Sequence, residues 1–68
     1  MGTKTVKGVL RAIDRMLDIT VQGPIEVPEL KRRVGGVPED FEHALTDATI
    51  GGMVQYTSLN PPIVKRIA

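Results

Sequence analysis

The sequence predicts one small domain that is mainly α-helical with a small β-hairpin, an α+β fold. Three stretches of the 68-residue chain have the apolar periodicity of a helix, a proline that starts one, or both. After a Gly-Gly pair at residues 51–52, the remaining apolar sequence is divided by Asn60-Pro61-Pro62, as in a hairpin. No stretch has the composition of a linker, so residues 1–68 are interpreted as a single domain.

The first helix is predicted from apolar residues that recur at spacings of three and four. These residues are Val6, Val9, Leu10, Ile13, Met16 and Leu17. Thr3 or Thr5 is expected to supply the N-cap oxygen. The β-branched run at residues 19–21 disfavours helix, and Gly23-Pro24 predicts the turn that follows.

The second helix is predicted to begin at Pro28, directly after a short strand at residues 25–27. Proline at the first helical position is favourable because no hydrogen bond is needed from its nitrogen. Leu30 and Val34 lie four residues apart and therefore share the side that is expected to be buried. Gly35-Gly36 is expected to end the helix, since glycine readily adopts the left-handed conformations of a tight turn.

The third helix is predicted to begin at Val37-Pro38 in the same manner and to end at Gly52. Its buried side is formed by four residues at helical spacing, which are Phe41, Ala44, Leu45 and Ala48. In the hairpin, Val54 and Tyr56 are expected to face the same way. Residues 60–62 are predicted to form the loop, because proline cannot lie inside a central strand.

The run from Phe41 to Tyr56 resembles a segment of winged helix-turn-helix domains. In that family the third helix ends with an apolar pair, a further apolar residue and a glycine, and two apolar residues then open the wing. The matching residues here are Ala44, Leu45, Ala48, Gly52, Met53 and Val54. The resemblance covers residues 6–68 and implies three helices with a wing. It leaves the function open, because this fold serves DNA binding and protein docking alike.

Basic residues are concentrated in the first half of the chain. Residues 1–36 carry seven basic and four acidic side chains, whereas residues 37–68 carry two basic and four acidic ones. The resemblance implies phosphate contacts from the second helix and from the wing, where Lys65 and Arg66 are expected beside Asn60. The expected phosphate-contacting residues are Lys31, Arg32, Arg33, Lys65 and Arg66. For the run at residues 31–33, an ordinary solvated helix face is the alternative.

The third helix, from which the resemblance implies base contacts, is acidic. Its expected outward residues are Glu39, Asp40, Glu42, His43, Thr46, Asp47 and Thr49. Four carboxylates repel DNA phosphates, and the helix has no Lys or Arg for guanine edges. The candidate base contacts are therefore His43, Thr46 and Thr49.

Ile50 also falls on a position that is expected to face outward, close to Met53. Together the two residues would form an apolar patch that favours a homodimer. The alternative is that the last helical turn rotates and buries Ile50. A dimer with two half-sites would multiply the phosphate contacts of a weak DNA-binding domain.

The composition argues against catalysis, against a metal site and against a membrane protein. There is no cysteine and one histidine, so thiolate and multi-histidine metal sites are excluded. No catalytic constellation is recognisable, and we expect neither an enzyme nor a cofactor. No apolar run approaches the ~20 residues of a membrane span, so a cytoplasmic protein is expected.

The leading hypothesis is a small winged-helix protein that binds double-stranded DNA as a dimer and regulates transcription. The alternative is a winged-helix protein–protein interaction module that docks its acidic third helix on a basic protein partner. The two hypotheses share a fold and differ in the charge of the partner.

Overall fold

The computed structural model describes residues 6–67 and contains three helices and three strands. They are α1 (Val6–Thr20), β1 (Ile25–Glu26), α2 (Val27–Val34), α3 (Pro38–Ile50), β2 (Val54–Leu59) and β3 (Pro62–Arg66). The strands form an antiparallel sheet in the order β1-β3-β2. The predicted α+β class is confirmed, and the element order is compatible with a helix-and-wing layout. The expected N-cap residues, Thr3 and Thr5, lie outside the described residues.

One hydrophobic core joins the three helices to the inner face of the sheet. Its buried members are Val9, Ala12, Ile13, Met16, Leu30, Phe41, Ala44, Leu45, Ala48, Val54 and Val64. The predicted buried side of α3 is therefore confirmed, as is Leu30 of α2. Tyr56 faces the same side of the sheet as Val54 but is more than a third exposed. Val64 is the buried residue of β3. It is not among the residues that the sequence predicts to be buried.

Two of the six residues predicted to form the apolar stripe of α1 lie outside the core, and the helix ends later than predicted. Val6 and Leu10 are 74% and 57% exposed, because α2 and α3 cover a face of α1 that includes Ala12 instead. The helix continues through Thr20, although β-branched residues disfavour it there. The Thr20 hydroxyl donates to the carbonyl of Met16 at 2.8 Å, which satisfies this polar group inside the core.

Three residues, at positions 35–37, connect α2 to α3. Gly35 and Gly36 have φ values of 70° and 76°, in the left-handed region that glycine adopts without a steric penalty. The N–H of Gly35 donates to the carbonyl of Lys31 at 3.1 Å and ends α2. The predicted stop between the two helices is confirmed, whereas β1 is one residue shorter than predicted because α2 begins at Val27.

The end of α3 is fixed by a Schellman cap that turns the chain into β2. The N–H of Gly52 donates to the carbonyl of Thr49 at 3.2 Å, and the N–H of Met53 donates to that of Ala48 at 2.8 Å. Gly52 has a φ of 75°, which confirms its predicted role. Leu59 pairs with Pro62, so the loop is shorter than predicted. Pro62 is tolerated as the first residue of its strand.

A pair of identical substitutions tests where the core ends. Ile13→Val removes a buried methylene group and is expected to reduce the free energy of unfolding by about 0.5–1.5 kcal/mol. Ile50→Val is the matched control at an exposed position, with an expected change within about 0.5 kcal/mol. Urea denaturation of the two variants measures both values. Equal losses at the two positions would contradict the described core.

Candidate functional site

One row of exposed side chains runs along the side of α3 that faces away from the core. The row consists of Glu39, His43, Thr46 and Ile50, which are separated by four, three and four residues and therefore share one helix face. Ile50 is 80% exposed, so the alternative in which the last turn buries it is wrong. Its contact with a second copy, together with the partly exposed Met53, stays a prediction.

The sequence predicts that Asp40 faces outward, and this prediction is wrong: Asp40 is buried, with 8% of its surface exposed. It lines a cavity between α1 and the α2–α3 turn, together with Arg11 and Arg15. The reason is that residues of α1 and of the α2–α3 turn surround this position. Asp47 follows Asp40 by two helical turns and lies towards the same side of α3. The outward row of α3 therefore contains a single carboxylate, that of Glu39.

The basic cluster of α2 is exposed, and each of its three side chains is paired with a carboxylate. Lys31 Nζ lies 3.1 Å from Glu42 Oε2 and links α2 to α3. Arg33 Nε donates to Glu29 Oε2 at 2.9 Å, and Arg32 donates to the other oxygen of Glu29. Exposed ion pairs contribute only about 0–1 kcal/mol, so an incoming phosphate can replace these carboxylates.

Glu29 is the anion that most strongly affects this cluster. Its hydrogen bond from Arg32, and then the one from Arg33, hold the pKa of the Glu29 carboxyl below its ordinary value of 4.5. The same contact raises the pKa of Arg32, which is charged at any physiological pH in either case. At neutral pH the cluster therefore carries its own counter-ion within the same helix.

The three candidate base-contacting residues occupy two sides of α3. His43 and Thr46 belong to the outward row, and the Thr46 hydroxyl donates to the carbonyl of Glu42 at 3.1 Å. Thr49 lies on the flank, in a groove between α3 and β2 that Tyr56 also lines. Its hydroxyl donates to the carbonyl of Leu45 at 2.7 Å. The structure thus places Thr46 between His43, on the outward row, and Thr49, with which it lines this groove.

Lys65 and Arg66 lie at the base of the hairpin, not beside Asn60 as predicted. In the sheet register Lys65 pairs with Gln55 and Arg66 with Val54, at the end of β3 that is farther from the loop. Both residues border a cavity formed with the end of α1 and the loop that follows it. The expected position was wrong because register depends on where the turn begins, and the turn contains only Asn60 and Pro61.

The sequence does not predict that the basic residues of α1 lie close to the basic cluster of α2. Arg15 Nη2 donates to the backbone carbonyl of Arg33 at 3.2 Å, so this basic residue of α1 contacts the end of α2. Arg11 precedes Arg15 by one turn and shares its face. The i, i+4 spacing gives a signal for a basic face of α1, but no local pattern shows which helix that face meets.

Comparisons with protein-family models, with curated proteins and with solved structures gave no match. Within residues 6–67, no group of three or more His, Cys, Asp and Glu side chains is arranged to hold a metal ion. No helix in that part of the chain is both long and apolar enough to cross a membrane. The candidate site is thus defined by its own geometry.

The Glu29 contacts predict how stability depends on pH. Because the pKa of Glu29 is lower in the folded than in the unfolded chain, its contribution is present above about pH 4.5 and is lost as the pH falls through the folded value. Carboxyl NMR titration is expected to give Glu29 a pKa below 4.5 in the protein and a value closer to 4.5 after Arg32→Gln with Arg33→Gln. An unchanged pKa in that variant would contradict the described ion pairs.

Proposed function

We propose that this protein is a cytoplasmic winged-helix transcriptional regulator that binds double-stranded DNA as a dimer, without catalysis or a cofactor. In this proposal α3 enters the major groove and α2 contacts the phosphate backbone. The observation that carries it is the α2–turn–α3 arrangement, in which a three-residue turn leaves the side of α3 opposite the core exposed along its length. Turns of three to four residues containing glycine are typical of helix-turn-helix DNA-binding motifs.

The outward row of α3 carries side chains that can contact base edges. The His43 ring and the Thr46 hydroxyl offer hydrogen-bonding groups, and the exposed Ile50 offers an apolar contact for a thymine methyl. Thr49 contributes less in this arrangement, because it is half-buried on the flank of α3, whereas His43, Thr46 and Ile50 are exposed. We therefore propose His43, Thr46 and Ile50 as the principal base-contacting residues.

The burial of Asp40 and the pairing of Glu42 support the proposal, because they reduce the repulsion expected from an acidic helix. Only Glu39 and Asp47 of the four carboxylates of α3 are exposed without an ion pair among the described residues. Arg32 is the most exposed of the three basic side chains of α2, at 74% of its side-chain surface. We propose Lys31, Arg32 and Arg33 as the main phosphate contacts, and Lys65 and Arg66 as additional ones at the base of the wing.

Two substitutions in α2 are expected to change DNA affinity in opposite directions. Arg32→Glu replaces a phosphate-binding cation with an anion and is expected to weaken binding by about tenfold or more. Glu29→Gln removes the carboxylate that competes with phosphate for Arg32 and Arg33, and is expected to strengthen binding by about two- to fivefold. Fluorescence anisotropy with random-sequence duplex DNA at several salt concentrations measures both effects.

The control for Glu29→Gln is Glu26→Gln, which makes the same chemical change. Glu26 is exposed and has no ion pair within residues 6–67, so its substitution changes only the long-range charge. Glu26→Gln is expected to have a smaller effect than Glu29→Gln. Unchanged affinity for Arg32→Glu, in a variant with a native circular dichroism spectrum, would reject α2 as the phosphate-binding helix.

A protein-docking function is the second candidate, and the groove between α3 and β2 favours it. This groove is lined by Glu42, Thr46, Ile50 and Tyr56, among others, so its apolar surface has an acidic rim. Such a groove suits a segment of a basic partner protein that inserts an apolar side chain and places Lys or Arg beside Glu42. The expected role of Asp40 in this docking face is wrong, because that carboxylate is buried.

The variant Ile50→Lys distinguishes the two functions. It adds a cation to the outward row of α3, so it is expected to strengthen non-specific DNA binding if this row faces DNA. In a docking module the same change removes the apolar contact, adds like charge against a basic partner and prevents the complex. The test compares duplex DNA with a lysine-rich amphipathic peptide as probes. Weakened binding of DNA by this variant would contradict the leading proposal.

A further inference from the structure

The flank of α1 carries three exposed apolar side chains and one that is partly buried against the core. Val6 and Leu10 lie there, with the half-buried Leu17 and, directly after the helix, Val21, which is 59% exposed. They are separated by four, seven and four residues, so they follow one line along the helix. The N–H of Val21 donates to the carbonyl of Leu17 at 3.1 Å, which continues the helical path to this residue.

Charged side chains lie beside this apolar flank, with the basic residues separated from the acidic ones along the helix. Lys7 and Arg11 lie in the N-terminal half of α1, and Asp14 and Asp18 lie in the C-terminal half. Within residues 6–67, none of the four has a hydrogen bond or an ion pair from its side chain. Like charges four residues apart repel each other on a helix, and both halves contain such a pair. A second helix that presents the opposite order of charges would relieve this repulsion.

We propose that α1 is a dimerisation helix that packs antiparallel against α1 of a second copy of this chain. A twofold axis reverses the direction of the second helix, so that Lys7 and Arg11 of one copy face Asp14 and Asp18 of the other. The twofold axis repeats these contacts, and the apolar flanks of the two helices meet beside them. A parallel arrangement would place like charges together. Charge complementarity therefore selects both the partner and its direction.

α3 is less suitable for a second copy than α1. Ile50 is the last residue of α3, so a twofold contact centred on it would overlap the two helices over their final turn only and would leave most of each α3 outside the interface. A contact along α1 can use the whole length of a 15-residue helix. Because α3 packs on α1 with its buried side, its outward row stays exposed in the dimer. The dimer does not depend on the proposed DNA binding, and its oligomeric state is measurable without DNA.

The length of α1 indicates a dimer of moderate affinity. Its 15 residues span about 22 Å, so a contact between two such helices falls at or below the lower end of the ~1,200–2,000 Å² range of stable interfaces. Dissociation is therefore expected within the concentration range of sedimentation equilibrium. Complementary charges at the rim make the association weaker at high salt.

Charge reversal in matched variants tests this interface. The first variant carries Lys7→Glu with Arg11→Glu, and the second carries Asp14→Lys with Asp18→Lys. The flank of the first is then wholly acidic and that of the second wholly basic, so each is expected to lose self-association over the range where the wild type dimerises. An equimolar mixture is expected to regain a dimer, because antiparallel pairing again joins opposite charges. Sedimentation equilibrium measures all four samples.

Two single variants separate α1 from α3 as the interface. Leu10→Lys is expected to abolish the dimer, whereas Ile50→Lys is expected to leave it intact, and both positions are exposed enough for the fold to be retained. Circular dichroism checks the fold of every variant. The proposal is overturned if the wild type stays monomeric up to millimolar concentration, if the charge-reversed variants still self-associate, or if Ile50→Lys alone removes the dimer.

Discussion

The packing of α3 against α1 is the contact on which the rest of the structure depends. Phe41, Ala44, Leu45 and Ala48 of α3 belong to the same buried core as Val9, Ala12, Ile13 and Met16 of α1, and the small alanine side chains allow close packing. A helix that is fixed by one side presents the opposite side to solvent, so the same packing defines the outward row from Glu39 to Ile50. It also covers Asp40, which changes the charge that α3 presents.

The repulsion between α3 and DNA phosphates is smaller in the folded chain than the sequence predicts. Four carboxylates in one helix oppose DNA binding when all are taken as outward-facing, but one is buried and another is paired with Lys31. The ion pairs of Glu29 with Arg32 and Arg33 oppose DNA binding, because phosphate must first replace the carboxylate at both side chains. DNA affinity in the proposed function is therefore a competition between anions for the same two guanidinium groups.

Local patterns in the sequence predict most of the fold and only part of the site. Proline and glycine signals place α2 and α3, since the conformations they require are set within a few residues. The flank of α1 is predicted wrongly, because a stripe drawn from spacing alone does not show which neighbours cover it. The burial of Asp40 and the contact of Arg15 with Arg33 depend on residues distant in sequence. Such contacts have no local signal.

The proposal that the outward row of α3 faces duplex DNA is tested most directly by NMR. Backbone amide shifts of the labelled protein would be followed while a random-sequence duplex is added at low salt. The expected changes lie at His43, Thr46 and Ile50 and along residues 31–33, and they diminish as salt is added. Shifts confined to α1, or none in α2 and α3 at saturating DNA, would contradict the proposed function.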